Sequence, residues 1–282
     1  MRYKIFLIAV FILGTILGMA AGVRLAARRM EHKYSALAEK KVIAKLPVRK
    51  KAVELPPIVK RFDNPKVAIV MDDFGYNMNN LDGLFGIKRP ITLSILPNLR
   101  YSRVIAGIAK SKGYEVILHL PLEPHRKDVR EEVDTINSKM DEKEVLARLE
   151  SDIESVPGLK GVSNHMGSKS TEERPLMTII FSDLNKKKLY FLDSLTSERS
   201  VCREVSGRTG LRYAKRSIFL DNSNAEDYIR KQILELRRFA FKNGRAIAIC
   251  HDRINTVKVL GEMMPKLASE GINFVYLSEL VK

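Results

Sequence analysis

The chain has 282 residues, 45% of them hydrophobic and 29% charged, with 16 Gly and 11 Pro. That composition supplies one sizeable core and excludes collagen-like, low-complexity and disordered chains. Two cysteines, Cys202 and Cys250, are too few for a disulfide framework, and neither has CxxC or zinc-finger spacing.

The net charge of +16 is unevenly spread. Residues 1–64 carry 14 Lys/Arg against 4 Asp/Glu, whereas residues 65–282 carry 35 against 29. The basicity therefore belongs mainly to an N-terminal arm. Nucleic-acid binding needs basic residues clustered on the folded part with aromatics between them, and that pattern is missing, so no nucleic-acid partner is expected.

Arg2 and Lys4 precede an apolar run, Ile5–Val23, in which Thr15 is the one clearly polar residue. Residues 1–24 read as a transmembrane anchor or a signal segment, and the length of the run favours an uncleaved anchor. The membrane is thus an expected partner. Arg24, Arg28, Arg29 and Lys33 follow the run, and the positive-inside tendency alone would hold what comes next on the cytoplasmic side. Residues 25–64, basic and containing Pro47, Pro56 and Pro57, read as a linker.

Residues 65–282 read as one domain. Short apolar runs recur at Val67–Met71, Ile91–Leu96, Glu115–Leu118, Gly161–Ser163, Leu189–Leu192, Ser217–Leu220, Arg245–Cys250 and Asn273–Leu277. They lack strict alternation, as strands covered on both faces do. Amphipathic stretches at Glu144–Val156, Asp227–Lys242 and Val257–Ser269 lie between them, and Ser170 with Glu173 has capping-box spacing. Strands alternating with helices predict an α/β fold, a closed or nearly closed parallel β/α barrel of about eight strands. An open doubly wound sheet competes, but no GxGxxG follows the first strand.

Polar residues gather where the apolar runs end: Asp72–Asp73, His119 with Glu123, Asn164–His165 with Ser168, Asp193–Ser194, Asp221, and His251–Asp252. The strand C-termini of a parallel barrel converge on one face, where active sites form. Asp221 or Asp252, taken singly, reads as the N-cap of the next helix. Three histidines and an Asp pair on one rim instead suggest a divalent-cation site, with zinc the best fit and a spare carboxylate as base. Asp72 and Asp73 cannot leave an extended strand in the same direction, so a turn helped by Gly75 is expected there. Cys250 reads as packing, His32 and His125 as surface residues, and Ser194 lacks a nucleophile-elbow context. Phe74 and Tyr76 read as loop packing.

The blocks Val-Met-Asp-Asp-Phe-Gly, Leu-His-Leu-Pro-Leu-Glu-Pro, Ser-Asn-His-Met-Gly-Ser, Leu-Asp-Ser-Leu-Thr-Ser, Phe-Leu-Asp-Asn and Ile-Cys-His-Asp resemble the divergent polysaccharide deacetylases, a distant branch of the NodB-type carbohydrate esterases. The resemblance runs from about residue 66 to 282. It implies a distorted barrel of seven or eight strands and metal-dependent removal of acetyl groups from an envelope polysaccharide such as peptidoglycan. By the family pattern Asp72 is the catalytic base, Asp73 and His119 are metal ligands, and His251 is the general acid. The family's second His of His-x-x-x-His is Glu123 here, and His165 is the candidate for the missing nitrogen ligand. Its Arg- and Pro-containing motif has no clear match. Glu123, Asn164, Ser168, Asp193 and Ser194 are then candidate substrate-binding residues. An envelope substrate places the domain in the periplasm or cell envelope, membrane-anchored or secreted, against the charge asymmetry noted above. Two other readings stay open: a glycosidase using Asp72, Glu123 and Asp193 without metal, and a non-catalytic barrel that binds glycan or protein.

Overall fold

A computed structural model of the protein describes Pro57, residues 61–128 and residues 130–282. The apolar run at 5–23 and nearly all of the basic linker lie outside the described residues. Within them no helix is long and apolar enough to cross a membrane.

In chain order the domain runs β1 (Lys66–Phe74), α1 (Leu81–Gly86), β2 (Thr92–Ile95), α2 (Ser102–Ser111), β3 (Val116–Leu122), α3 (Glu142–Ser155), β4 (Gly161–Met166), α4 (Arg174–Lys186) and β5 (Tyr190–Asp193). It continues through α5 (Cys202–Thr209), β6 (Tyr213–Lys215), β7 (Ile218–Phe219), α6 (Glu226–Asn243), β8 (Arg245–His251), α7 (Ile254–Ser269) and β9 (Asn273–Phe274). The strands pair in parallel in the order β6-β5-β4-β3-β2-β1-β8-β7, with β9 beside the start of β1.

The expected α/β barrel is present, opened at one seam: β6 and β7 follow each other in the chain but do not pair. Tyr213–Lys215 is a strand that the apolar runs did not announce, since one residue of its three is buried. The seam is fastened from the side. Backbone bonds of 2.8 and 3.4 Å join Tyr213 and Lys282. Arg216 donates from Nε to the Ser194 carbonyl at 2.8 Å and lies 3.9 Å over the Phe219 ring.

The barrel interior is filled by Ala68 and Val70, Ile117, Tyr190 and Leu192, and Ile247 and Ile249, closed below by Leu277, Leu280 and Val281. Burying such side chains contributes about 1.5–3 kcal/mol each for the larger ones. These positions recur every second residue, so the next inward positions toward the C-terminal rim are Asp72, His119, Ser194 and His251. The same period that builds the core therefore delivers polar groups to its upper end.

Helix boundaries follow local chemistry. Asp141 and Glu144 form a reciprocal capping box at the start of α3, with bonds of 2.8 and 2.9 Å. Gly244, at φ 76°, ends α6 in the left-handed conformation that glycine adopts without strain. The expected capping box at Ser170–Glu173 does not form. Residues Ser170–Glu172 make a 3-10 turn, α4 starts at Arg174, and the Ser170 hydroxyl instead accepts the Glu123 N–H at 3.0 Å. Asp221 and Asp252 are not N-caps either, because α6 and α7 are preceded by Ala225 and Arg253. Both carboxylates are taken by groups on other elements, as described next.

Candidate metal and catalytic site

Four strand ends build the site. β1 ends in a bulge between Met71 and Phe74, and Asp73 sits within it at φ 68°. By alternation alone Asp73 would face away from Asp72. The left-handed turn, which Asp tolerates better than most residues, re-aims it toward the barrel mouth. The next step needs Gly75, at φ 130°, where an added Cβ would lie 3.0 Å from the Leu99 side chain and 3.3 Å from the Leu96 carbonyl.

His119 on β3 and His165 on β4 converge on Asp73. Asp73 Oδ1 lies 3.4 Å from His119 Nε2 and 3.2 Å from His165 Nδ1. The two imidazoles meet edge to face, 4.9 Å between centroids. One ligand atom from each of the three residues falls within 4.8 Å of the others. Asp73 Oδ1 is buried and has no partner with hydrogen-bond geometry. An unpaired buried carboxylate oxygen facing two ring nitrogens is costly without a cation. Two imidazoles and a carboxylate are the donor set of an open zinc site, so these residues fit the ion that the sequence suggests. Burial opposes ionisation of Asp73, but His119 and His165 overcome it and hold the carboxyl well below the usual carboxylate range.

Asp72 stands beside them, 2% exposed, with Oδ2 at 3.6 Å from His119 Nε2 and Oδ1 unpaired. Burial pushes its carboxyl upward, helped by the charge of Asp73 and opposed by His119 and His251. His251, at the end of β8, donates from Nδ1 to Asp221 Oδ1 at 2.7 Å, and its backbone N–H donates to Asp221 Oδ2 at 2.9 Å. Thr256 Oγ1 also donates to Asp221 Oδ2, at 2.7 Å. Burial acts against a charged His251, yet Asp221, with Asp73 and Asp72 behind it, raises its pKa above the ordinary imidazole value. Asp252, read singly as an N-cap, receives Asn80 Nδ2 at 2.8 Å and ties the start of α1 to the end of β8.

The candidate substrate residues are placed differently. Glu123 receives Lys169 Nζ at 2.8 Å on Oε1, and the N–H and hydroxyl of Ser138 at 3.0 and 2.9 Å on Oε2. Its backbone carbonyl accepts the N–H groups of Lys169 and Ser170. Glu123 is thus the clamp of the β3–α3 and β4–α4 loops, and the structure does not bring it to the two histidines. Asn164 and Ser194 interlock β4 and β5 through bonds of 2.8 and 3.0 Å. Asp193 is buried and accepts from Leu195 N, Ser200 Oγ and Tyr213 OH. Ser168 Oγ accepts the His125 N–H at 3.0 Å, and the His125 ring reaches Glu172 at 3.1 Å. Glu123 and Asp193 are so engaged that neither is a free carboxylate beside Asp72.

Sequence reasoning missed three contributors. Ser163 and Ser94, both fully buried, stand under His119, and their signal is their place on inward positions otherwise held by aliphatic residues. Asp221 orients His251 across the barrel, which a strand-end Asp does not reveal by itself. Cys250 is buried as packing, as its place in an apolar strand suggested.

Comparison with known proteins bears on the family and the fold. Residues 69–281 match the sequence model of the divergent polysaccharide deacetylases. YibQ of Escherichia coli K12 is 36% identical over 216 residues, covering 77% of this chain and 67% of that one. A Haemophilus influenzae protein is 36% identical over 199 residues, covering 71% of each. In the crystal structure of ATU2773 from Agrobacterium tumefaciens C58 the same fold appears at TM-score 0.73 and 22% identity, covering 80% of this chain and 93% of that one. The T48 deacetylase with substrate (TM-score 0.50, 14% identity, 78% and 94% covered) and BA3943, a pseudoenzyme of the CE4 family from Bacillus anthracis (TM-score 0.50, 12% identity, 81% and 69% covered), share it more distantly. The match over residues 69–281 spans the barrel and every strand end that builds the site, and on it the chain belongs to the divergent polysaccharide deacetylase family.

Proposed function

We propose that the protein is a metal-dependent hydrolase that removes N-acetyl or O-acetyl groups from an envelope polysaccharide, acting outside the cytoplasm from a membrane-anchored or secreted chain. The observation that carries the reading is the convergence of Asp73 Oδ1, His119 Nε2 and His165 Nδ1, with the carboxylate oxygen left unpaired. Fold alone does not decide between turnover and binding, because a deacetylase and a pseudoenzyme both share it.

Asp73, His119 and His165 would hold the ion, with zinc the best match to an N,N,O donor set. The chemistry such an ion supplies is Lewis acidity toward the acyl carbonyl and toward water. The remaining work falls to this chain's own groups. Asp72, next to the ligands and on the barrel axis side, takes the proton of the attacking water. Burial raises its pKa, which makes it a stronger base than an exposed carboxylate. His251 protonates the departing amine or alcohol. Asp221 fixes its Nδ1 proton, so Nε2 is the nitrogen that faces the substrate.

The test is acetate release from N-acetylglucosamine oligomers and from peptidoglycan by the purified full chain loaded with zinc. Asp72→Asn and His251→Ala are expected to lose about 100-fold or more in rate while retaining the ion. A chain that binds zinc but releases no acetate from either substrate overturns the hydrolase reading in favour of a glycan-binding barrel.

A further inference from the structure

We propose that Ser163 and Ser94 are positioning residues: a two-hydroxyl relay that locks His119 in the tautomer able to ligate a metal through Nε2. The proposal rests on the metal site described above.

Ser163 is the register partner of His119 across the β3–β4 ladder. Its Oγ lies 2.8 Å from His119 Nδ1 and 2.8 Å from Ser94 Oγ on β2. All three side chains are within the barrel, with Ser94 and Ser163 at 0% exposure and His119 at 3%. Water therefore cannot complete their hydrogen bonds, and the direction of each proton is set by the neighbours.

Two arrangements decide where the ring proton sits. In one, His119 Nδ1–H donates to Ser163, Ser163 donates to Ser94, and Ser94 donates onward. In the other, Ser94 donates to Ser163 and Ser163 to a bare Nδ1, which puts the ring proton on Nε2. The Nε2 atom faces Asp73, and an imidazole can ligate through Nε2 only if its proton is on Nδ1. The first direction is the one compatible with a metal. Metal-ligating histidines are commonly oriented by a direct bond to a carboxylate or carbonyl. Here a serine hydroxyl takes that place, backed by a second serine hydroxyl.

Apolar packing does not account for the pair. The surrounding inward positions are Val70, Ile117 and Leu192, and an alanine would fill the volume of either serine without needing a partner. Two buried hydroxyls on β2 and β4, the strands that flank β3, cost stability unless they bond each other or something else. The observed bonds continue past the pair to the ligand ring.

The experiment uses the full chain with nitrogen-15-labelled histidine, and the variants Ser163→Ala, Ser94→Ala and the double variant. Three quantities are read: the His119 tautomer in the metal-free protein by long-range proton–nitrogen correlation, zinc affinity by competition with a chromogenic chelator, and the metal-free Tm. In the wild type the His119 ring is expected as Nδ1–H. Ser163→Ala is expected to weaken zinc binding by about 10–100-fold, to mix the two tautomers, and to shift the metal-free Tm by no more than a few degrees. Ser94→Ala should weaken zinc binding less, and the double variant no more than Ser163→Ala, because the hydroxyls act in series. Ser163→Thr, which keeps the hydroxyl, should restore the tautomer.

A wild-type His119 protonated on Nε2, or a folded Ser163→Ala protein with unchanged zinc affinity and tautomer, overturns the relay. A wild type that holds His119 as Nδ1–H yet binds no zinc overturns the metal-ligand role itself, which is the failure of the functional reading rather than of the relay geometry.

Discussion

The carboxylate of Asp221 meets His251 twice, once at the ring and once at the backbone: Oδ1 lies 2.7 Å from Nδ1 and Oδ2 lies 2.9 Å from the backbone nitrogen. Rotating the ring breaks the bond at Nδ1, while the backbone bond holds the carboxylate in place beneath it. Asp221 is itself fully buried, and its own carboxyl is held below the usual range, burial opposing ionisation and His251 favouring it more.

This pair predicts a pH-dependent stability. The His251 pKa is higher folded than unfolded, so the charged pair stabilises the fold fully below the unfolded imidazole value. That contribution is lost as pH rises through the folded value. Asp221→Asn should lower the His251 pKa, measured by its ring proton shifts. It should destabilise the protein by roughly 2–4 kcal/mol at pH 6, and by less at pH 9. A destabilisation that is the same at both pH values would show that Asp221 acts through Thr256 and the backbone alone.

The metal ligands predict a separable behaviour. Asp73→Asn keeps a residue type that accepts the left-handed φ of 68° but removes the charge between two imidazoles. Zinc affinity, by calorimetry, should fall by about 100-fold or more in Asp73→Asn and in His165→Ala. Zinc at 100 times its Kd should add about 2.7 kcal/mol of stability to the wild type and almost none to either variant. Equal thermal shifts in wild type and variants would remove these residues from the ligand set.

Glu123 predicts the opposite split. Its oxygens hold Lys169 and Ser138, which lie in different loops. Glu123→Ala leaves a half-buried N–H of Ser138 and an ammonium without their acceptor, at a cost of about 1–3 kcal/mol. Urea unfolding should show that loss, while zinc affinity stays within about threefold. A large fall in zinc affinity would return Glu123 to the metal site in the place that the family's second histidine occupies.

Much of this was legible from residue spacing. The apolar runs located eight of the nine strands, and the polar residues after them named the ligand cluster. What spacing does not carry is the direction of a side chain after a non-standard φ. Asp73 reaches His119 and His165 because one residue turns left-handed, and period-two reasoning alone sends it outward. Nor does spacing reveal pairings between strand ends far apart in sequence. Asp221 looked like a helix cap because local chemistry favours that role, and the bond to His251, thirty residues on, exists only once β7 and β8 are adjacent. Tyr213–Lys215 escaped notice for a further reason: a short strand at an open seam buries too little to need an apolar sequence.

Asp152 supplies a prediction independent of any metal. It lies on α3 with its side chain fully buried. Asn98 donates to Oδ1 at 3.0 Å, while Oδ2 has no partner. Burial, with the nearby charge of Asp134, pushes its pKa from an ordinary 3.8 up to about 8. Between those values the folded protein keeps the proton and the unfolded chain has released it. The folded state thus binds more protons, and stability falls as pH rises across that window. Asp152→Asn cannot ionise and keeps the oxygen that accepts from Asn98. Its Tm should match the wild type near pH 4 and exceed it progressively toward pH 8, where the gain is on the order of a few kcal/mol. If the variant is no more stable than the wild type at pH 8, Asp152 is ionised in the fold, and Asn98 and Arg148 compensate its burial.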